Sequence, residues 1–183
     1  MREERKAETR QKILEVAGAL FRKRGIDAVG VDAIMHAAGL THGGFYAHFA
    51  SKEALVAEVS AASLARAAAR WERVSQEDDG PTALAKIVEA YLDPAHVAAV
   101  EQGCMLTTLG PEVARRIGPR SAITDSIRKM ADALARCLPG QRRRDALATL
   151  SGMVGAVVLA RLSDDPELAE ELLAATKQAA CSR

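Results

Sequence analysis

Between Thr41 and Lys52 the chain gathers a threonine hydroxyl (Thr41), two imidazoles (His42 and His48), a phenol (Tyr46) and an ammonium group (Lys52). These groups donate hydrogen bonds to phosphate oxygens or pair with their charge. The same stretch holds Gly43 and Gly44, which leave a surface with almost no side chain. The chemistry on offer is recognition, not bond breaking. No nucleophile elbow, HExxH or P-loop is present, and His96 is the one histidine beyond the first fifty residues. No catalytic residue and no enzyme activity is therefore expected. Cys104, Cys137 and Cys181 are odd in number, far apart and without CxxC spacing. That pattern predicts no metal site, no disulfide framework and a reducing compartment. Nothing calls for a cofactor.

The elements that must hold those groups are helices. Of 183 residues, 49% are apolar but only 3% aromatic, so alanine and leucine supply the core. Both favour helix, and runs of β-branched or aromatic residues are nearly absent. The expected class is all-α with about nine helices. Helix one spans about Glu4 to Arg24, with Ile13, Val16, Ala17, Leu20 and Phe21 on one face. Gly25 caps it behind the basic run Arg22-Lys23-Arg24. A helix from about Val31 to Ala38 buries Val31, Ile34, Met35 and Ala38. Gly39 breaks it, Leu40 plugs the corner, and Thr41 caps a third helix to about Phe49. A fourth opens with Ser51 as N-cap and runs to about Ser75.

Helix, glycine turn, short helix is the helix-turn-helix pattern. Its second helix lies in a DNA major groove, so its outer face should be small or polar. Thr41, His42, Gly43, Gly44 and Ala47 meet that demand, while Phe45 and Phe49, four apart, anchor the inner face. Tyr46, His48 and Lys52 are placed for the phosphate backbone at the groove edge. Residues 1–52 carry nine Lys/Arg against six Asp/Glu, and the remainder sixteen against eighteen, so the positive lobe coincides with this segment.

The stretches RQKILEVAGALFRKRG and VDAIMHAAGLTHGGFYAHFASKEAL, over about residues 9–57, resemble the DNA-binding domain of the TetR (tetracycline-repressor-like) family. The resemblance implies that Thr41, His42, Gly43, Gly44, Tyr46 and His48 face DNA and that Lys52 contacts phosphate. It implies two units, a DNA-binding domain over 1–52 and a ligand-binding and dimerisation domain over 53–183. Many relatives carry Ser or Thr where this chain has Gly30, which removes that cap and its phosphate contact.

Beyond residue 60 the signals thin. Asp78-Asp79-Gly80-Pro81 is a turn, and a helix carrying Leu84, Ile87, Val88 and Tyr91 ends near Asp93-Pro94. An irregular stretch from Ala95 towards Gly118 contains a helix from about Cys104 to Arg116. An amphipathic helix with Ile123, Ile127, Met130 and Leu134 stops at Pro139-Gly140. The last pair spans about Arg142–Leu162 and Pro166–Ala179. YLDPAH and GCMLTTLGPEVAR resemble a TetR subgroup in which this region borders a ligand cavity. The candidates for its lining are Trp71, Tyr91, Cys104, Met105, Thr107, Thr108 and Met130, each of which equally suits ordinary core packing. Cys104 follows Gly103 and opens a helix, so it is also the candidate for oxidant or electrophile sensing.

Gly152, Gly155 and Ala156 permit close helix approach, and Leu162, Leu168 and Leu172 extend an apolar face. These six form the expected interface of a homodimer, which in the family is a four-helix bundle. The expectation is a dimeric repressor of double-stranded operator DNA, released by a small-molecule inducer or, alternatively, by modification of Cys104. No stretch approaches eighteen apolar residues, so no membrane partner is expected. With no signal peptide in MREERKAETRQK, the expected location is the cytoplasm.

Overall fold

The computed structural model describes residues 2–116 and 120–182. Those residues are helical and contain no strand. Helix α1 (Arg2–Arg24) crosses α2 (Val31–Ala37), and a short 3-10 helix (His42–Ala47) follows. Then come α3 (Lys52–Glu77), α4 (Gly80–Tyr91), α5 (Pro94–Ala98), α6 (Met105–Thr108), α7 (Gly110–Arg115), α8 (Ser121–Cys137), α9 (Arg143–Leu162) and α10 (Pro166–Cys181). The buried apolar residues join in one continuous cluster that runs from Ile13 on α1 to Ala180 on α10.

At the N-terminal end, Ile13, Ala17 and Phe21 line one side of α1 at helical spacing. They meet Ile34 and Met35 of α2 and Phe45 and Phe49 beyond it, all buried. Gly25 ends α1 at φ +81°, a conformation that costs any side chain dearly. Gly39 ends α2 at φ +69°, with its N–H donating to His36 and the Leu40 N–H to Met35, the paired bonds of a Schellman cap. Leu40 is then half-buried against the core, as a corner plug should be.

The third helix differs from expectation. It closes at Ala47 rather than Phe49, and it is wound as a 3-10 helix. Gly43-Gly44 makes an extended α-helix entropically costly, and a stretch this short settles into tighter turns.

Asp79 caps α4 by accepting from the Thr82 N–H at 3.1 Å, and Asp165 caps α10 through the Glu167 and Leu168 N–H groups. The segment expected as one helix from Cys104 to Arg116 is two, broken at Leu109. Pro111 has no N–H to return to the preceding turn, so the α6 ladder cannot continue through it. Gly118, the expected end of the irregular stretch, lies outside the described residues. Helix α10 runs to Cys181, beyond the expected end near Ala179.

Helix α9 needs a correction of its own. By length and composition it is apolar enough to cross a membrane, with a mean hydropathy of 1.5 over eighteen residues. It packs against α8 and α10, yet only 39% of that window is buried. The helix is thus apolar on more sides than the rest of the chain covers.

Candidate nucleic-acid interface

Phe45 and Phe49 stack at 5.7 Å between ring centroids and are buried, so the opposite side of the 3-10 helix is its free face. Tyr46 stands on Phe45 edge-to-face at 5.3 Å and is 63% exposed, the orientation in which a phenol can reach outward. Thr41, His42 and Gly43 are exposed, and Gly44 and His48 are half-buried. Gly43 has open space where a Cβ would stand, and Gly44 meets Met35 only at ordinary contact distance. Neither has a positive φ. The fold therefore does not require glycine at either position; what glycine gives here is a low surface over which another molecule can approach closely. Thr41 precedes the helix in extended backbone, but its side chain makes no cap bond and is left available.

Ser51 accepts from the Ala54 N–H at 3.1 Å and so sets the start of α3, whose first residue is Lys52. The cap thus fixes where the Lys52 side chain departs.

Three residues join the face without having been singled out in the sequence. Asp32 of α2 pairs with Nδ1 of His42 across the turn. Lys6 and Arg10, four apart on α1, act electrostatically on His48. Arg10 lies 4.6 Å above the Phe49 ring and pairs with Glu58 of α3. Burial, and then the charges of Lys6 and Arg10, push the His48 pKa below the ordinary imidazole value, and its Nδ1 is buried without a hydrogen-bond partner. The four-residue spacing of Lys6 and Arg10 was a legible signal for a basic stripe along α1.

The candidate ligand-lining residues divide into two sets. Trp71, Tyr91, Met105 and Met130 are buried in the continuous core. Cys104, Thr107 and Thr108 are half-buried around one polar knot. At its centre Arg161 of α9 donates to the carbonyls of His96 and Val97 and to the Thr107 hydroxyl, at 2.9, 3.0 and 2.6 Å. His96 takes the Cys104 N–H at 3.1 Å on one ring nitrogen and bonds the Tyr91 carbonyl on the other. Gly103 lies so close to Arg161 that a Cβ would stand 2.7 Å from the guanidinium. Tyr91 packs edge-to-face on Trp71 at 5.6 Å, and its buried hydroxyl has no partner of ordinary hydrogen-bond geometry. Burial pushes the Tyr91 pKa far up, and the neighbouring Cys104 adds to that rise while Arg161 opposes it. Arg22 and Arg161, both lowered chiefly by burial, interact with Cys104 as well. Cys104 does open α6, but that helix has only four residues, too short for its dipole to act on the thiol as the sequence suggested.

The knot is tied to the N-terminal helices. Arg22 donates to the Glu101 carbonyl and Lys23 pairs with its carboxylate at 2.7 Å. Glu112 of α7 accepts the Ile26 N–H at 2.8 Å directly beneath Gly25. Arg116 pairs with Asp27 at 2.6 Å.

On the last two helices Leu147, Leu159, Leu162 and Leu168 are exposed, Leu162 by 77%. Gly152 is exposed, and Gly155 and Leu172 are half-buried. Ala156 departs from the other expected interface residues: it is buried within the chain itself.

A model of the family described as "Bacterial regulatory proteins, tetR family" matches residues 13–59. The HTH-type transcriptional regulator AcrR of Shigella flexneri is 44% identical over 52 residues, which are 28% of this chain and 24% of that protein. The HTH-type transcriptional repressor KstR2 of Rhodococcus jostii is 43% identical over 54 residues, 30% of this chain and 26% of that protein. These similarities thus span about a quarter of the curated relatives' length. The crystal structure of E. coli NemR in its reduced form superposes with a TM-score of 0.79 at 23% identity, over 93% of this chain and 96% of that one. Residues 13–59 thus match the helix-turn-helix segment of that family, and the chain as a whole shares the all-helical fold of the solved structure.

Proposed function

We propose that the protein is a sequence-specific DNA-binding transcriptional repressor acting as a homodimer in the cytoplasm. The observation that carries this reading is the face of the 3-10 helix. Two phenylalanines hold it from beneath, an exposed phenol, imidazole and hydroxyl project from it, and a lysine flanks it. Gly43 leaves room for close approach. The KstR2 similarity, with a protein named as a repressor, favours repression. The exposed leucines of α9 and α10 favour a two-fold dimer, which would set two such helices about 34–36 Å apart, one turn of DNA.

The test is fluorescence-anisotropy binding to the gene's own upstream DNA and to a scrambled duplex at two salt concentrations. Tight binding to the first that weakens with salt, and far weaker binding to the second, is the expected result. In the Lys52→Ala chain the salt slope should fall by about one per subunit. Equal binding to both duplexes would refute sequence-specific recognition.

Release from DNA by a small molecule acting on the second domain is the leading reading of regulation. The knot around Arg161 supports it, because one segment, 96–116, holds both α9 and the end of α1. Anything that repacks this segment acts on the head. Modification of Cys104 is the second reading, favoured by the half-buried thiol beside the unpartnered Tyr91 hydroxyl. Addition of the thiol to an electrophilic alkene forms one S–C bond and leaves the thiol proton on the adjacent carbon. The polar adduct would then displace Tyr91 or Arg161. Operator release by such an alkene in the native chain but not in Cys104→Ser supports this reading. Equal release in both points to the small-molecule route.

A further inference from the structure

The pairing of Asp32 with His42 joins the two helices of the helix-turn-helix across ten residues of sequence, at its most exposed edge. Asp32 is 84% exposed and has a role at the start of α2 that any first-turn carboxylate could fill. Its second role is specific. It fastens one nitrogen of a ring whose other side is held edge-on by Tyr46, with centroids 6.1 Å apart. The other nitrogen, Nε2, has no hydrogen-bond partner among the described residues. Around it the face offers Gly43, Gly44 and Ala47, which carry no polar side-chain atom.

We infer that His42 is the specificity-determining residue of this DNA-binding face and Asp32 its positioning residue; the inference rests on the DNA-binding reading above. A carboxylate at Nδ1 keeps the ring proton there in the neutral imidazole, so Nε2 presents a lone pair. A hydrogen-bond acceptor in the major groove selects an exocyclic amino group, N6 of adenine or N4 of cytosine. The face has no Arg, Asn or Gln with which to make a bidentate base contact. Recognition therefore falls on His42 together with the Thr41 hydroxyl.

The experiment is selection from a random duplex pool at pH 8, using the full-length chain and its His42→Ala, Asp32→Ala and Asp32→Asn variants, with thermal melting to verify folding. The native chain should enrich a two-fold site with an adenine or cytosine preferred at one position of each half. His42→Ala and Asp32→Ala should both lose that preference, about tenfold per site. Asp32→Asn, whose amide oxygen still accepts from Nδ1–H, should keep it. Purine in place of adenine, or 2-pyrimidinone in place of cytosine, should weaken the native chain as much as His42→Ala does. Three results overturn the inference: Asp32→Ala retaining a preference that His42→Ala loses, a change that is uniform over all duplexes, or sensitivity to 7-deazaguanine at the selected position. A native chain that enriches no sequence refutes the DNA-binding reading itself.

Discussion

At the scale of single residues, His48 makes a testable link between protonation and binding. In the free protein, burial and the charges of Lys6 and Arg10 hold its pKa below the ordinary value of 6.5. A docked phosphate reverses that balance by supplying a negative charge and an acceptor. The bound state then takes up a proton that the free state lacks. Affinity is greatest below the depressed free-state value and declines as pH rises through the higher pKa of the complex. Binding titrations from pH 5.5 to 8 at constant ionic strength should show this decline, and His48→Gln should flatten it. Equal slopes in the two chains would remove His48 from the phosphate contacts. Thr41, Tyr46 and Lys52 could be nominated from residue type and from their places in the helix-turn-helix pattern. Asp32 was not, since its partner lies on another helix and sequence alone does not say which of several acids an imidazole meets.

At the scale of elements, α1, α2 and the amphipathic α8 follow directly from periodicity and caps. The 104–116 segment does not: its apolar spacing reads as one helix, and the break depends on where Gly110-Pro111 falls relative to Leu109. The clasp between α7 and the end of α1 was beyond the sequence for the same reason, as Glu112 and Ile26 are 86 residues apart. Its strength can be measured. Glu112→Ala leaves the partly buried Ile26 N–H without its acceptor, at a cost of about 1–3 kcal/mol. The expected result is a melting temperature lower by several degrees and faster hydrogen exchange at Ile26 than in the native chain. Unchanged exchange at Ile26 would mean that the amide has another acceptor in solution.

At the scale of the whole molecule, the all-helical class was legible from composition, and the last two helices from their apolar content. Which face of α9 is buried was not legible, because the helix is apolar almost all round; Ala156 turned inward while Leu159 and Leu162 stayed out. If the exposed leucines meet their copies, Leu162→Glu places like charges in that contact and desolvates them. Sedimentation should then show a monomer where the native chain is a dimer, and operator affinity should fall by at least tenfold, since one half-site contact is lost. A Leu162→Glu dimer of native strength would place the interface elsewhere.

Helix α3 begins at Lys52, separated from the 3-10 helix by residues 48–51, and continues without interruption for 26 residues along α8. At 1.5 Å per residue it is a rod of roughly 39 Å. Pivoted at its far end, such a rod converts a tilt of about 5° into a displacement of about 3 Å at Lys52, the whole reach of a hydrogen bond. On the DNA-binding reading proposed above, the rod is a lever: a shift where it packs on α8, smaller than the displacement at its tip, is enough to carry Lys52 out of reach of a phosphate, and no helix need melt for it to work.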